Sequence, residues 1–172
     1  AGDVGEAVLA ADKKPLTKEE SAKVIEAVIR DDLGKPTGEL TKADLEKVTG
    51  DMDLYDFQLT SVKGLEKLTK LDQLFLNANQ LTNVTGLEKL TKLTILDLSN
   101  NQLTNVKRLE NLTQLRSLHL SANQLTSVKG LEKLVHLTEL RLGNNPDLTK
   151  AQIDELQKAL PNCRIFHDFP LN

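Results

Sequence analysis

Aromatic side chains make up only 3% of the 172 residues, and there is a single cysteine, Cys163. So few aromatics mean that any core must be assembled from leucine, valine and isoleucine. One cysteine excludes an internal disulfide, and with three scattered histidines it makes no metal-ligand spacing. A glycine-rich phosphate loop is missing as well, so neither a metal nor a nucleotide cofactor is expected. No apolar run approaches the roughly 20 residues of a membrane span, so no transmembrane segment is expected. Basic blocks are absent and the formal net charge is −3. That balance argues against nucleic acid or an anionic membrane as the main partner. The chain opens without methionine and without a signal-peptide pattern, which leads us to expect a mature or trimmed product.

What the chain does have is a repeat. Leu71–Leu81 reads LDQLFLNANQL, the pattern LxxLxLxxNxL. It returns from Leu93 as LTILDLSNNQL and from Leu115 as LRSLHLSANQL, 22 positions on each time. A fourth copy at Leu137–Leu148, LTELRLGNNPDL, is stretched by one residue. A fixed period of this length is the mark of a solenoid, which grows by stacking coils rather than by enclosing a centre. Within a coil, Leu74 and Leu76 alternate with Gln73, Phe75 and Asn77, which is strand periodicity with the leucines inward. Leu81, Val84, Leu87, Leu90 and Leu93 then follow at strict threes, which suits 3₁₀ turns better than an α-helix. Each coil is therefore expected to be one short strand and a tight return, with strands stacking in parallel. Asn79, Asn101, Asn123 and Asn145 form an inward polar column, whose amides can both donate to and accept from turning backbone.

The ends differ. Residues 1–15 read as a flexible leader, with one turn at Val4, Val8 and Leu9 as the alternative. Thr17 to Glu20 fits a capping box, and Val24, Ile25, Val28, Ile29 and Leu33 continue at helical spacing until Gly34 and Pro36 stop it. Thr41 and Asp44 open a second, short helix with Leu45 and Val48 inward. These helices, over 16–48, would cover the apolar end of the first coil. Residues 49–148 hold about five coils, the first of them degenerate, with Phe57 at the asparagine position and expected to pack on the cap. A further capping box at Thr149 to Gln152, the stripe Ile153, Leu156 and Leu160, and an edge strand around Cys163, Ile165 and Phe166 would close the other end over 149–172.

The coils LTNVTGLEKLTKLTILDLSNNQ and LTNVKRLENLTQLRSLHLSANQ resemble the leucine-rich repeat family, and within it the internalin type of bacterial surface proteins. The segment SAKVIEAVIRDDLGKPTGELTKADLEKVT is similar to the internalin cap. The fold this implies is α/β: a right-handed leucine-rich repeat solenoid with a parallel concave sheet, 3₁₀ convex returns and helical caps. The function it implies is binding of a protein or a glycan on the concave sheet, often on the bacterial surface. Gly64, Gly86, Arg108 and Gly130 stand where internalins usually carry proline. With a helical cap at its end in place of an immunoglobulin-like domain or cell-wall anchor, the chain is expected to be a small secreted or envelope-associated bacterial protein.

The outward strand positions are the candidate ligand-binding surface: Asp53, Tyr55, Phe75, Asn77, Ile95, Asp97, His119, Glu139 and Arg141. Inward positions are nearly uniform from coil to coil, whereas these vary. Phe75, Ile95 and Tyr55 are apolar where exposure is expected, in the manner of interaction anchors ringed by polar groups. The plainer reading is that scattered exposed apolar residues are ordinary. Asp97 and His119 should be neighbours that pair. Ser99, Ser117 and Ser121 could complete a nucleophilic triad, but stacking alone supplies that proximity. Cys163 and His167 could be a reactive thiol and its base, or a small buried residue in an edge strand. Lys63, Lys67, Lys70, Lys89 and Lys92, interspersed with Glu66 and Glu88, suggest a solvated convex face. We expect a monomeric, non-enzymatic binding module for a protein or peptide. The alternatives are a structural or self-associating envelope protein, and then an enzyme or enzyme adaptor.

Overall fold

The computed structural model describes residues 13–170, so the expected leader lies almost wholly outside the described residues. Two helices come first, α1 (Lys18–Leu33) and α2 (Lys42–Leu45). Strands then alternate with 3₁₀ turns: β1 (Asp51–Asp53), η1 (Leu65–Lys67), β2 (Gln73–Phe75), η2 (Leu87–Lys89), β3 (Ile95–Asp97), η3 (Lys107–Leu109), β4 (Ser117–His119), η4 (Leu131–Lys133) and β5 (Glu139–Arg141). Helix α3 (Lys150–Ala159) and strand β6 (Arg164–Phe166) end the series. The six strands form one parallel sheet in sequence order. Met52, Leu74, Leu96, Leu118, Leu140 and Ile165 stand side by side across it. The expected parallel solenoid with 3₁₀ returns and helical ends is the architecture observed.

The leucine spacing explains the returns. Leu65, Leu68 and Leu71 form a relay in which each amide bonds the carbonyl three residues back, at 3.0–3.1 Å. Their side chains therefore eclipse along one edge and point inward together, and all three are fully buried. Burying one leucine is worth roughly 2 kcal/mol. An uncovered end coil exposing several would consume much of a typical net stability of ~5–15 kcal/mol. The helices answer this. Ile25 and Ile29 of α1 are buried over the first coil, and Ile153 and Leu156 of α3 over the last. Both helices begin on complete capping boxes, at Thr17 and Thr149. The Ser21 hydroxyl, fully buried, accepts from the Thr60 amide at 3.1 Å and so ties α1 to the first coil.

The buried asparagines join neighbouring coils. The amide of Asn101 donates to Leu98 O in its own coil and to Leu76 O in the previous one, both at 3.0 Å. Its Oδ1 accepts from the Leu81 amide at 3.0 Å. Asn123 and Asn145 repeat this arrangement one and two coils on. Asn79 does more, because its Oδ1 accepts from both Phe57 and Leu59. That corrects the expectation for Phe57. Its side chain is 38% exposed rather than packed on the cap, because Asp56 and Gln58 on either side both take a left-handed conformation and Asn79 serves the local amides instead.

The residue before each of these asparagines is left-handed as well: Ala78, Asn100, Ala122 and Asn144 have φ of 55–57°. Asparagine tolerates that region, whereas alanine is strained there. On the convex side, Gly64, Gly86 and Gly130 take φ of +98° to +108°. Each donates its amide to the glutamate two residues on, at 2.6–2.8 Å. Proline could supply neither. Arg108 occupies the equivalent place without a positive φ, and η3 accordingly begins at Lys107, two residues earlier in its coil than its counterparts.

Two stability outcomes are expected. Asn101→Ala leaves the buried Leu81 amide without a partner, at roughly 1–3 kcal/mol, and takes one of two donors from the Leu76 and Leu98 carbonyls, which keep Asn79 and Asn123. Urea denaturation should show a loss of at least ~2 kcal/mol, while exposed Lys92→Ala stays within ~0.5 kcal/mol. A midpoint for Asn101→Ala equal to that of Lys92→Ala would refute the ladder. Ala78→Asn and Ala122→Asn should each stabilise by ~0.5–1 kcal/mol through relief of left-handed strain, and unchanged melting temperatures would show that no strain is held there.

Candidate functional site

The open face of the sheet is built by alternation. Because Leu74, Leu96, Leu118 and Leu140 are buried, the residues on either side of each emerge on the opposite surface. Two rows result. One runs Asp51, Gln73, Ile95, Ser117, Glu139 and Arg164, and the other Asp53, Phe75, Asp97, His119, Arg141 and Phe166. Tyr55 lies just past β1 and is 54% exposed, while Phe75 and Ile95 are half-buried. Asn77, also half-buried, accepts the Asp56 amide through its carbonyl at 3.2 Å. All the candidate surface residues therefore fall on or beside one face. The sequence reasoning missed Arg164 and Phe166 as members of it. The signal was present, since Ile165 between them follows the inward column, but α3 interrupts the 22-residue count there.

At the centre of the face is an ionic chain. His119 Nε2 lies 2.8 Å from Glu139 Oε2, and Nδ1 lies 3.6 Å from Asp97 Oδ2. Glu139 Oε1 accepts from Arg141 Nη2 at 3.2 Å. Asp97 Oδ1 accepts from the Ser99 amide at 2.9 Å and its hydroxyl at 2.6 Å. The expected Asp97–His119 pair is thus a triple contact in which Glu139 is the nearer carboxylate. Asp97 raises the imidazole pKa above its ordinary value, partial burial opposes, and Glu139 adds to the rise. Hydrogen bonds from His119 and then Arg141 pull the Glu139 carboxyl down to about 2. Burial works to raise that of Asp97, but His119 and Ser99 outweigh it and hold the group below the usual range.

Ser117 Oγ is 3.1 Å from His119 Nε2, so serine, histidine and Asp97 stand in the order a nucleophilic relay would need. The chemistry is nonetheless wrong for one. The same Nε2 is held more closely by Glu139, and the Ser117 hydroxyl donates to that carboxylate at 3.2 Å. An imidazole flanked by two carboxylates that raise its pKa is less available as a general base. The neighbouring amides of Ser117 and Glu139 are bonded to the Thr94 and Arg116 carbonyls, so neither serves as an oxyanion donor. Ser99 and Ser121 are not brought to the ring. Cys163 is 4% exposed, and burial, then Glu139, pushes its thiol up to about 11. His167 Nδ1 accepts from the Phe169 amide instead of facing the thiol. Among the described residues no cluster of three histidine, cysteine or acidic side chains could hold a metal ion, and no helix is long and apolar enough to cross a membrane.

The pH dependence of stability follows from the raised histidine pKa. Folded His119 holds its proton above the unfolded value of 6.5, so its contribution is complete below 6.5 and is lost as pH rises through the folded value. The wild-type urea midpoint minus that of His119→Gln should therefore shrink between pH 6 and pH 9. Parallel curves would show that the imidazole gains nothing from its two carboxylates.

Comparison with known proteins agrees with the architecture. The family described as leucine-rich repeats, in its two-copy form, matches residues 91–132 and 113–158. An internalin from Listeria monocytogenes is similar over 83% of this chain, at 30% identity with a TM-score of 0.75. A leucine-rich repeat protein of Leptospira interrogans is similar over 69%, at 34% identity with a TM-score of 0.63. The chain spans only 41% of the first and 30% of the second. No match is found among curated proteins.

Proposed function

We propose that this chain, a parallel solenoid that matches leucine-rich repeats over residues 91–158 and is similar to a bacterial internalin, binds a protein or peptide on its open, concave sheet. One observation carries the reading. No phenylalanine or tyrosine ring is fully buried: Tyr55 and Phe57 are exposed, Phe75 and Phe166 are half-buried on the open face, and Phe169 is partly buried against the core. A protein that packs its interior with leucine and leaves Tyr55 and Phe75 partly in water forgoes part of a burial worth roughly 2–3 kcal/mol for a whole ring. A partner that covers them returns it. Phe75 and Ile95 are diagonal neighbours on β2 and β3, and Tyr55 lies on the opposite diagonal from Phe75, so the three form an oblique apolar line centred on Phe75. Asp53, Asp97, His119, Glu139 and Arg141 surround this patch with charge, which orients a ligand more than it holds one. The short, asparagine-tied strands need little ordering on binding, which favours affinity. A glycan ligand is less favoured, because the patch is apolar rather than lined by free planar amides and hydroxyls. Secretion or attachment to the bacterial envelope goes with this reading.

The test is capture. Wild-type chain and a Tyr55/Phe75/Ile95→Ala triple variant are immobilised and compared for partners recovered from extracellular protein mixtures. Partners held by the wild type should be lost by the variant. For an isolated partner, Phe75→Ala should cost more than ~1 kcal/mol in calorimetry. Equal recovery and equal affinity, with unchanged circular dichroism, would exclude the concave face.

A further inference from the structure

Charge on the open face is distributed with a direction. Strand β1 contributes Asp51 and Asp53, both exposed, whereas the opposite edge contributes Arg141 on β5 and Arg164 on β6. The two edges are five strand spacings apart, about 24 Å. An extended segment of about seven residues spans that distance.

The basic edge has a built geometry. The guanidinium carbons of Arg141 and Arg164 each lie 4.8 Å from the centroid of Phe166. Stacking on a ring fixes a guanidinium plane and leaves its N–H edges free for in-plane partners. Arg141 gives one donor to Glu139. That carboxylate already accepts from His119 and Ser117 through its other oxygen. Arg164 has no carboxylate within ion-pair distance and no side-chain hydrogen bond among the described residues. Two cations are thus brought to one ring with a single, already shared, carboxylate between them. The arrangement is one anion short.

We propose that the β5–β6 end of the concave face is a carboxylate subsite, which takes an acidic side chain of an extended peptide segment lying across the strands. The proposal rests on the reading of this sheet as a recognition surface and adds polarity to it. A planar guanidinium edge matches a carboxylate through paired hydrogen bonds. The Asp51 and Asp53 edge repels the same group and accepts a cationic one. The segment is therefore oriented, with its acidic residue over β6, its apolar residue over Phe75 and Ile95, and any basic residue over β1.

The experiment is a titration of the isotope-labelled full chain followed by NMR at the arginine Nε–Hε signals. The probes are acetylated triglutamate amide, the triglutamine and trilysine equivalents, and inorganic sulfate at matched ionic strength. Triglutamate should move the Arg164 and Arg141 signals, and trilysine should move the amides of Asp51 and Asp53 instead. Arg164→Gln should weaken triglutamate by about threefold or more, with Arg164→Lys in between, since a point charge replaces a fork. Unchanged Leu74 and Leu96 amide shifts show that both variants are folded. Triglutamate that acts no better than triglutamine, or no more tightly than sulfate, overturns the subsite, as does full affinity in Arg164→Gln. If the triple variant at Tyr55, Phe75 and Ile95 loses its partners while triglutamate leaves Arg164 unmoved, the subsite falls and the recognition reading stands. Triglutamate binding alongside undiminished partner capture by the triple variant would do the reverse.

Discussion

The side-chain amide of asparagine is the hinge pin of this structure. A chain that winds in coils of 22 residues must leave its strand, turn and come back, and the turning backbone has no sheet partner inside the protein. One buried amide satisfies carbonyls in two successive coils and an amide in the earlier one. It therefore sets both the turn within a coil and the spacing between coils. No aliphatic side chain could do this, and a charged one would carry a desolvation cost that nothing at that depth offsets. The left-handed residue before each asparagine is a consequence, because the chain must bend sharply to aim the amide inward.

Where the ladder ends, something else must supply the missing group. In the inner coils the amide after the strand bonds a carbonyl of the next coil, as Asn100 does with Ser121 and Ala122 with Gly143. Asn144 has no following coil of that kind, and the Asp168 carboxylate accepts its amide at 2.7 Å. Gly143 makes room, since a Cβ there would stand 3.2 Å from that carboxylate. At the other end, Lys13 pairs with Asp56 at 3.0 Å and the Leu16 amide bonds Gln58. Apolar surface is covered by helices, and loose backbone groups are taken by flanking segments.

Uniformity inside leaves the outside free. Since buried leucines, valines and asparagines hold the coils, the intervening strand positions can vary without unfolding the chain. Here they form an acidic edge, an aromatic and aliphatic patch, a histidine between two carboxylates, and an edge of stacked arginines. The Asp97–His119–Glu139–Arg141 chain crosses three strands; its two histidine contacts are products of strand register, and only the Glu139–Arg141 bond is local to one strand.

Period, composition and capping boxes determined a great deal by themselves. The spacing of threes in Leu65, Leu68 and Leu71 dictates 3₁₀ turns because only that geometry turns every third side chain inward. The alternation around Leu74 dictates which residues share the open face. What the sequence could not decide were distances across coils and departures from the period. Glu139 rather than Asp97 is the nearer partner of His119, because side-chain length, not column membership, settles which carboxylate reaches the ring. Phe57 turns outward because two left-handed residues flank it and the next coil serves its amide. Arg164 and Phe166 join the face only because α3 delivers β6 into register after the repeat has ceased, and no count along the chain could place them there.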